Sequence, residues 1–211
     1  MRILLTSFFI FLILQSFSKA DNINELQIEG MSVGESLLDH FSKKEIKLFM
    51  KSPNSFIYKD NRFIAISTHA SYEIFSNPTE DDPYADTKEN YEYIGVIIDP
   101  SDKRYIIHEI SAYINFPNDF EGCKKQKKEI VSSISSSFSN VKVESETSPH
   151  QYDKSGESIS YDTWFYFKNG YVAAHCEKWS EKLTKKNGWS NKLKVRIIDK
   201  EFMKFLTNEA Y

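Results

Sequence analysis

The sequence predicts an α+β fold: an antiparallel β-sheet with helices packed on one face, and one disulfide. Three observations predict it. Runs of alternating apolar and polar residues recur between turn signals, the strongest of them flanking Asn169-Gly170. Amphipathic stretches with N-cap signals stand before, between and after those runs. Two cysteines, Cys123 and Cys176, occur in a chain whose opening reads as an export signal.

That opening sets the compartment. Arg2 supplies a positive start, Ile3 to Leu14 is an apolar run broken only by Thr6 and Ser7, and Ser18-Lys19-Ala20 ends in small residues at the two positions a signal peptidase reads. The run is too short for a membrane-spanning helix. Residues 1–20 therefore read as a signal peptide, with a mature chain starting near Asp21 that is periplasmic or secreted and carries no transmembrane span. No cysteine lies near the cleavage site, so no lipid anchor is expected there. Residues 21–211 read as a single α+β domain, with 26–116 and 117–211 as two helix-plus-meander halves that share no matching sequence pattern. The full chain has a net charge of −3, and the leader holds two of its basic residues and none of the acidic ones. A mildly acidic mature chain argues against a nucleic-acid partner, which needs a concentrated basic surface.

Leu26-Gln27-Ile28 is a short lead-in strand. Ser32 with Glu35 is a capping-box pair opening a run with Leu37, Leu38 and Phe41 on one side, and Ser42 with Glu45 repeats the signature. Two short helices meeting near Phe41 and closed by Pro53 fit that pattern. The period then changes to two. Phe56 to Asp60 and Arg62 to Ala70 flank a tight turn at Asp60-Asn61, and the acidic stretch from Asn77 to Asn90, with Pro78 and Pro83, is a surface loop. Tyr91 to Ile98 and Arg104 to Phe116 are strands; in the second, Ile106, Ile110, Ala112, Ile114 and Phe116 share one face, with His108 in register with Ile106 and Ile110.

Pro117 ends that strand, and Asn118 with Glu121 starts a helix with Cys123, Ile130, Ile134 and Phe138 on its apolar side. Val141 to Thr147 alternates as a strand, and Ser148 to Glu157 is a polar loop. Ile159 to Lys168 and Tyr171 to Trp179 form a hairpin about Asn169-Gly170. Leu193, Val195 and Ile197 mark another strand, and Asp199 caps a last helix containing Phe202, Phe205 and Leu206.

A two-residue turn at Asn169-Gly170 sets Phe165 opposite Ala174, Trp164 opposite His175 and Thr163 opposite Cys176. Phe165, Phe167, Val172, Ala174 and Cys176 then share the core face. The thiol of Cys123 lies on the apolar side of its helix, so a Cys123–Cys176 disulfide would clip that helix to the core side of the hairpin. A catalytic thiol or a metal pair fits less well, since zinc takes four ligands.

The outer face of the hairpin carries Trp164, Tyr166, Tyr171, His175 and Trp179. Two arrangements satisfy that pattern. One is an aromatic platform for a sugar or another flat-faced ligand. The other is a second packed face, covered by Phe202 and Phe205 of the last helix.

Other chemistry is weaker. His150, Asp153 and Ser155 have the types of a hydrolase triad, but they sit together in one polar loop without a nucleophile elbow, where a turn explains them. His175 and Cys176 are strand neighbours and point to opposite faces, and His108 on an apolar face reads as a hydrogen-bonded core histidine. His40 and His69 have no partner assignable from sequence. Glu80, Asp81, Asp82 and Asp86 lack the spacing of a calcium loop, and the lysines from Lys124 to Lys128 read as a solvated helix face rather than a lipid contact. No metal site, cofactor or catalytic residue is assigned.

From Cys123 onward the chain resembles an uncharacterised family of small exported proteins from streamlined marine bacteria. The resemblance rests on Cys123-Lys124-Lys125-Gln126-Lys127, Asp153-Lys154-Ser155-Gly156-Glu157-Ser158, Trp164-Phe165-Tyr166-Phe167, Cys176, Leu193-Lys194-Val195 and Asn208-Glu209-Ala210-Tyr211. The stretch from Glu29 to Leu38 is similar too. The resemblance implies export. The leading functional expectation is a non-catalytic protein of the periplasm or cell envelope that binds a small molecule or an envelope protein. An envelope hydrolase and a structural accessory of the envelope are the rival classes.

Overall fold

The computed structural model describes residues 22–68, 92–138 and 140–210. A small ribbon comes first, β1 (Gln27–Ile28) against β2 (Met31–Ser32). Helix α1 (Lys43–Phe49) precedes four strands: β3 (Phe56–Ile57), β4 (Ile64–Ser67), β5 (Tyr93–Ile98) and β6 (Ile107–Asn115). Helix α2 (Phe120–Ser137) precedes four more: β7 (Lys142–Pro149), β8 (Ile159–Phe167), β9 (Gly170–Lys178) and β10 (Lys192–Asp199). A short helix α3 (Glu181–Asn187) joins β9 to β10, and α4 (Lys200–Asn208) follows β10. Strands β3 to β10 make one antiparallel sheet in the order β3-β4-β5-β6-β10-β9-β8-β7. The fold is α+β.

Alternation along the strands divides the sheet into two faces. Ile66, Val96, Ile110, Phe165, Val172, Val195 and Ile197 point to the main core, where Ile46 and Phe49 of α1, Ile134 of α2 and Ile23, Leu37 and Val33 of the N-terminal segment cover them. On the other face Phe202 and Phe205 of α4 pack on Phe63, Ile97 and Ile198. Each fully buried aliphatic or aromatic side chain contributes about 1.5–3 kcal/mol.

Local signals operate unequally. At α1 both halves of the capping box form: Ser42 Oγ accepts from Glu45 N, and Glu45 Oε2 accepts from Ser42 N at 2.8 Å. At Ser32 only the return bond forms, from Ser32 N to Glu35 Oε2 at 2.9 Å, and the expected first helix is reduced to a 3-10 turn at Leu37–Asp39. The reason is competition for the backbone. Gly34 N and Leu37 N donate to Ile107 O and Tyr105 O, and Ile107 N donates back to Glu35 O, so the segment is stitched to the start of β6. The α2 cap is Asp119, one residue beyond the expected start, accepting from Gly122 N at 2.8 Å.

Two registers differ from expectation. Tyr166 pairs with Tyr171, Asp162 with His175 and Tyr161 with Cys176, so the β8–β9 turn is Lys168-Asn169 rather than Asn169-Gly170. The partners move by two, which preserves the faces and changes every pair. Asn169 is used elsewhere. Its Oδ1 accepts from Ile23 N at 3.1 Å and its Nδ2 donates to Asn22 and Asn24, while a Cβ on Gly170 would lie 2.3 Å from Ile198 O. In β6, Ile98 pairs with Ile107 but Ile97 pairs with Glu109, leaving His108 as the extra residue of a bulge. His108 therefore leaves the core face expected of it. It stands edge-on to Phe63 and bonds through Nδ1 to Asp199 Oδ2 at 2.7 Å.

The disulfide joins Cys123 in the first turns of α2 to Cys176 of β9, with Cα atoms 6.1 Å apart and both residues fully buried beside Leu193. The acidic stretch from Asn77 to Asn90, with Glu80, Asp81, Asp82 and Asp86, and His69 lie outside the described residues.

Two outcomes are expected. Closing 53 residues stabilises the chain by about 4 kcal/mol on the chain-entropy model, less any native strain. Urea unfolding of Cys176→Ser, or of the reduced protein, should show most of that loss with the far-ultraviolet circular dichroism of the folded state retained. The second concerns Asp199, which also accepts from Phe202 N at 2.7 Å and so caps α4 while holding His108. Burial opposes charge on His108, but the Asp199 carboxylate outweighs it and raises the pKa. A raised histidine adds stability that is full below its unfolded value of about 6.5 and is lost as pH rises through the folded value. Asp199→Asn keeps a capping side chain, so its stability deficit should be largest on the acid side of neutrality and shrink as pH rises. A deficit independent of pH would refute this coupling.

Candidate functional site

β10 reads Lys192-Leu193-Lys194-Val195-Arg196-Ile197, and period two sends Leu193, Val195 and Ile197 into the core. Lys192, Lys194 and Arg196 consequently emerge on the outer face of a strand with four neighbours on one side and three on the other. Pairing sets Lys194 between Tyr113 of β6 and His175 of β9, and Lys192 between Asn115 and Glu177. One strand further, Asp162 stands opposite His175 and Trp164 opposite Ala173. α4 covers this face over Phe63, Ile97 and Ile198, and Trp164 packs against the flank of that aromatic cluster.

Charge on the face is almost fully paired. Arg196 grips Glu109 through two parallel bonds, Nε to Oε1 at 2.8 Å and Nη2 to Oε2 at 2.7 Å, with Glu109 buried. Lys192 Nζ lies 3.3 Å from Glu177 Oε2 and 5.3 Å from the Tyr113 ring centroid, and Tyr113 stacks on Tyr93 at 4.8 Å. His175 Nδ1 lies 2.8 Å from Asp162 Oδ1, which also accepts from Ser160 Oγ. Burial acts to raise the Asp162 pKa, but His175 and Ser160 together hold it below the ordinary carboxylate value. Lys194 differs. It is half-buried, has no hydrogen-bond or ion-pair partner among the described residues, and burial with the neighbouring Arg196 lowers its pKa.

Of the residues expected to form an aromatic platform, Trp164, Tyr166, Tyr171 and His175 do share the outer face. They do not make one open groove. His175 is buried, Trp164 is partly packed by α4, and Tyr166 meets Tyr171 edge-on at 5.6 Å while donating to Glu144 Oε2 at 2.6 Å. Trp179 lies past the end of β9, buried between His150 at 4.1 Å and Trp189 at 4.5 Å, and belongs to a separate cluster. His175 has Asp162, not Trp164, as its cross-strand partner, although the Trp164 ring stands edge-on 5.2 Å away.

The loop holding His150, Asp153 and Ser155 is a turn built on one carboxylate. Asp153 accepts from Ser155 N and Oγ at 3.0 and 2.6 Å and from Ser158 N and Oγ at 2.9 and 2.6 Å, which holds it far below the ordinary carboxylate pKa. Ser155 Oγ thus donates to the aspartate, and His150 lies in the Trp179 cluster. At the outer face, Ser160 and His175 both bind the same oxygen of Asp162, so the carboxylate sits between hydroxyl and imidazole. A nucleophile–base–orienter chain has the imidazole in the middle instead. The arrangement is suited to holding charge in place.

Sequence reasoning missed Lys192, Lys194, Arg196, Glu109 and Asp162. The signal was available: the same alternation that places Leu193, Val195 and Ile197 inside puts the three cations on the face of Trp164 and His175. Among the described residues no group of three or more His, Cys, Asp or Glu is placed to hold a metal ion, and no helix is long and apolar enough to cross a membrane. Searches of protein families, of characterised proteins and of solved structures find no match to the chain.

Removing one member of the buried Arg196–Glu109 pair should be far worse than removing both. Glu109→Ala strands the guanidinium and should cost about 3–5 kcal/mol in equilibrium unfolding, whereas Glu109→Leu with Arg196→Met should recover most of that loss. Equal losses in the single and double variants would refute it.

Proposed function

We propose that this is an exported, non-catalytic protein of the periplasm or cell envelope that binds a small ligand on the outer face of β8, β9 and β10. The observation that carries the reading is the polar strip beyond α4. Outward polar side chains on the open face of an antiparallel sheet are ordinarily well exposed, whereas those on this strip are buried or half-buried. They are Lys192, Lys194, His175 and Asp162, with Trp164 at the border of the apolar cluster. Polar groups at such positions reduce the apolar area available for burial, and a ligand-binding role gives a reason for keeping them. Binding rather than turnover is favoured by the order of Ser160, Asp162 and His175. Export is supported by Arg2, the apolar run and Ser18-Lys19-Ala20, and by a disulfide of the kind that persists in oxidising compartments.

Two measurements test this. Intact mass of protein recovered from its native host should correspond to a chain starting at Asp21; a chain retaining residues 1–20 would overturn export. Titration of isotope-labelled protein with envelope glycans and small aromatic acids and amides should move the Trp164 indole resonance and the amides of β8 to β10. It should leave Trp179 and Trp189 in place, since they belong to another cluster. Movement confined to Trp179 and Trp189, or none anywhere, would overturn the binding face.

A further inference from the structure

On the outer face, three of the four nitrogen-bearing side chains at the centre each have a carboxylate: Lys192 has Glu177, Arg196 has Glu109 and His175 has Asp162. Lys194 stands among them with no bonded carboxylate among the described residues. We propose that Lys194 receives the carboxylate of an organic acid whose flat apolar body lies against the neighbouring aromatic rings. The proposal rests on the binding face argued above and names the chemical class that face takes.

The argument begins with cost. A half-buried ammonium surrenders water on several sides, and without a counter-charge it is disfavoured in the folded protein. The nearest carboxylates, Glu109 and Glu177, favour its charge from a distance, but neither bonds it and each is engaged elsewhere. Glu109 is committed to both arms of Arg196 at 2.8 and 2.7 Å, Glu177 lies 3.3 Å from Lys192, and Asp162 is held by His175 and Ser160. Lys192 and Arg196 flank Lys194 at alternate positions on β10 and repel its charge, while their partners Glu177 and Glu109 act the other way, so Lys194 is the cation of the three that an incoming anion would find without a bonded carboxylate. The paired groups also fix the shape of the site, because moving any of them would break a charge-assisted bond.

The neighbours then select the rest of the ligand. Tyr113 stands directly across from Lys194 on β6 and is stacked on Tyr93. On the other side stands His175 on β9, whose Nδ1 is engaged by Asp162, with the Trp164 ring edge-on 5.2 Å from the imidazole. Strands lie about 4.8 Å apart, so Lys194 is one strand spacing from Tyr113 on one side and from His175 on the other, with Trp164 one strand further. A carboxylate joined to a planar apolar group matches that arrangement. A bare inorganic anion would use only half of it.

The test compares probes that differ only in charge or only in the ring. Phenylacetate should bind with shifts at Trp164 and at β10 amides near Lys194. Phenylacetamide, which lacks the charge, and acetate, which lacks the ring, should each bind about tenfold or more weakly, as expected when one charged contact is lost. Lys194→Met should weaken phenylacetate to the level of the amide, and Lys194→Arg should retain most of the preference for the acid. Thermal unfolding supplies an independent readout. Removing an unpaired charge should leave the melting temperature of Lys194→Met equal to or above that of the parent, whereas a structural lysine would lower it. If acid and amide bind alike and Lys194→Met changes neither affinity, the anion proposal is overturned and the binding face stands. If no probe shifts Trp164 or β10, both are overturned. A lowered melting temperature in Lys194→Met would also overturn the proposal.

Discussion

The antiparallel pairing of β6 with β10 is the contact on which the rest of the molecule depends. These are the last strands of two meanders, and their pairing makes one sheet out of what would otherwise be two separate edges. Unpaired edges leave backbone donors and acceptors unsatisfied and invite foreign strands. The seam also sets the chemistry of both faces. On one side it brings Ile110 and Ala112 against Ile197 and Val195 in the main core. On the other it carries the Arg196–Glu109 fork, and at its end His108 meets the residue that caps α4. The seam thus links the sheet register, the seating of the last helix and the outer-face charges.

Much of this architecture was legible in the chain because it depends on local pattern. The caps at Ser42 and Asp199, the apolar side of α2, and the inward residues of β8, β9 and β10 follow from spacing alone, as does the facing that brings Cys123 to Cys176. What could not be read locally is competition for the same group. Asn169-Gly170 is a strong turn signal, yet the asparagine side chain is taken by Asn22, Ile23 and Asn24, and the glycine admits the close passage of β10. Ser32 and Glu35 form half a capping box while their neighbours bond to β6. In each case a long-range partner outbids a local preference, and no window of sequence contains both competitors.

The site was legible only in part for a different reason. Parity placed Trp164, Tyr166, Tyr171 and His175 on one face correctly, because a register slip of two leaves parity intact. Neighbours across strands are another matter: His175 gained Asp162 as its partner, and β10 entered beside β9 rather than elsewhere in the sheet. Strand order is a global property, so the meeting of Lys194 with His175 and Tyr113 had no local signature. Trp179 illustrates the limit of extrapolating alternation past a strand end. The chain leaves the sheet at Lys178, and the indole turns to His150 and Trp189.

The disulfide encloses β7, β8 and the turn built on Asp153 within a single covalent ring, since Cys123 precedes them and Cys176 follows. Tyr152, at 63% exposure, stands on an exposed turn of that ring. Compartments that oxidise thiols also contain proteases, and an exposed turn is where they cut. A single nick there opens the ring without releasing either piece, because the sulfur bridge still joins α2 to β9. The damaged molecule stays together as one particle, and the edge strand β7 remains tethered beside the partner it needs to re-pair.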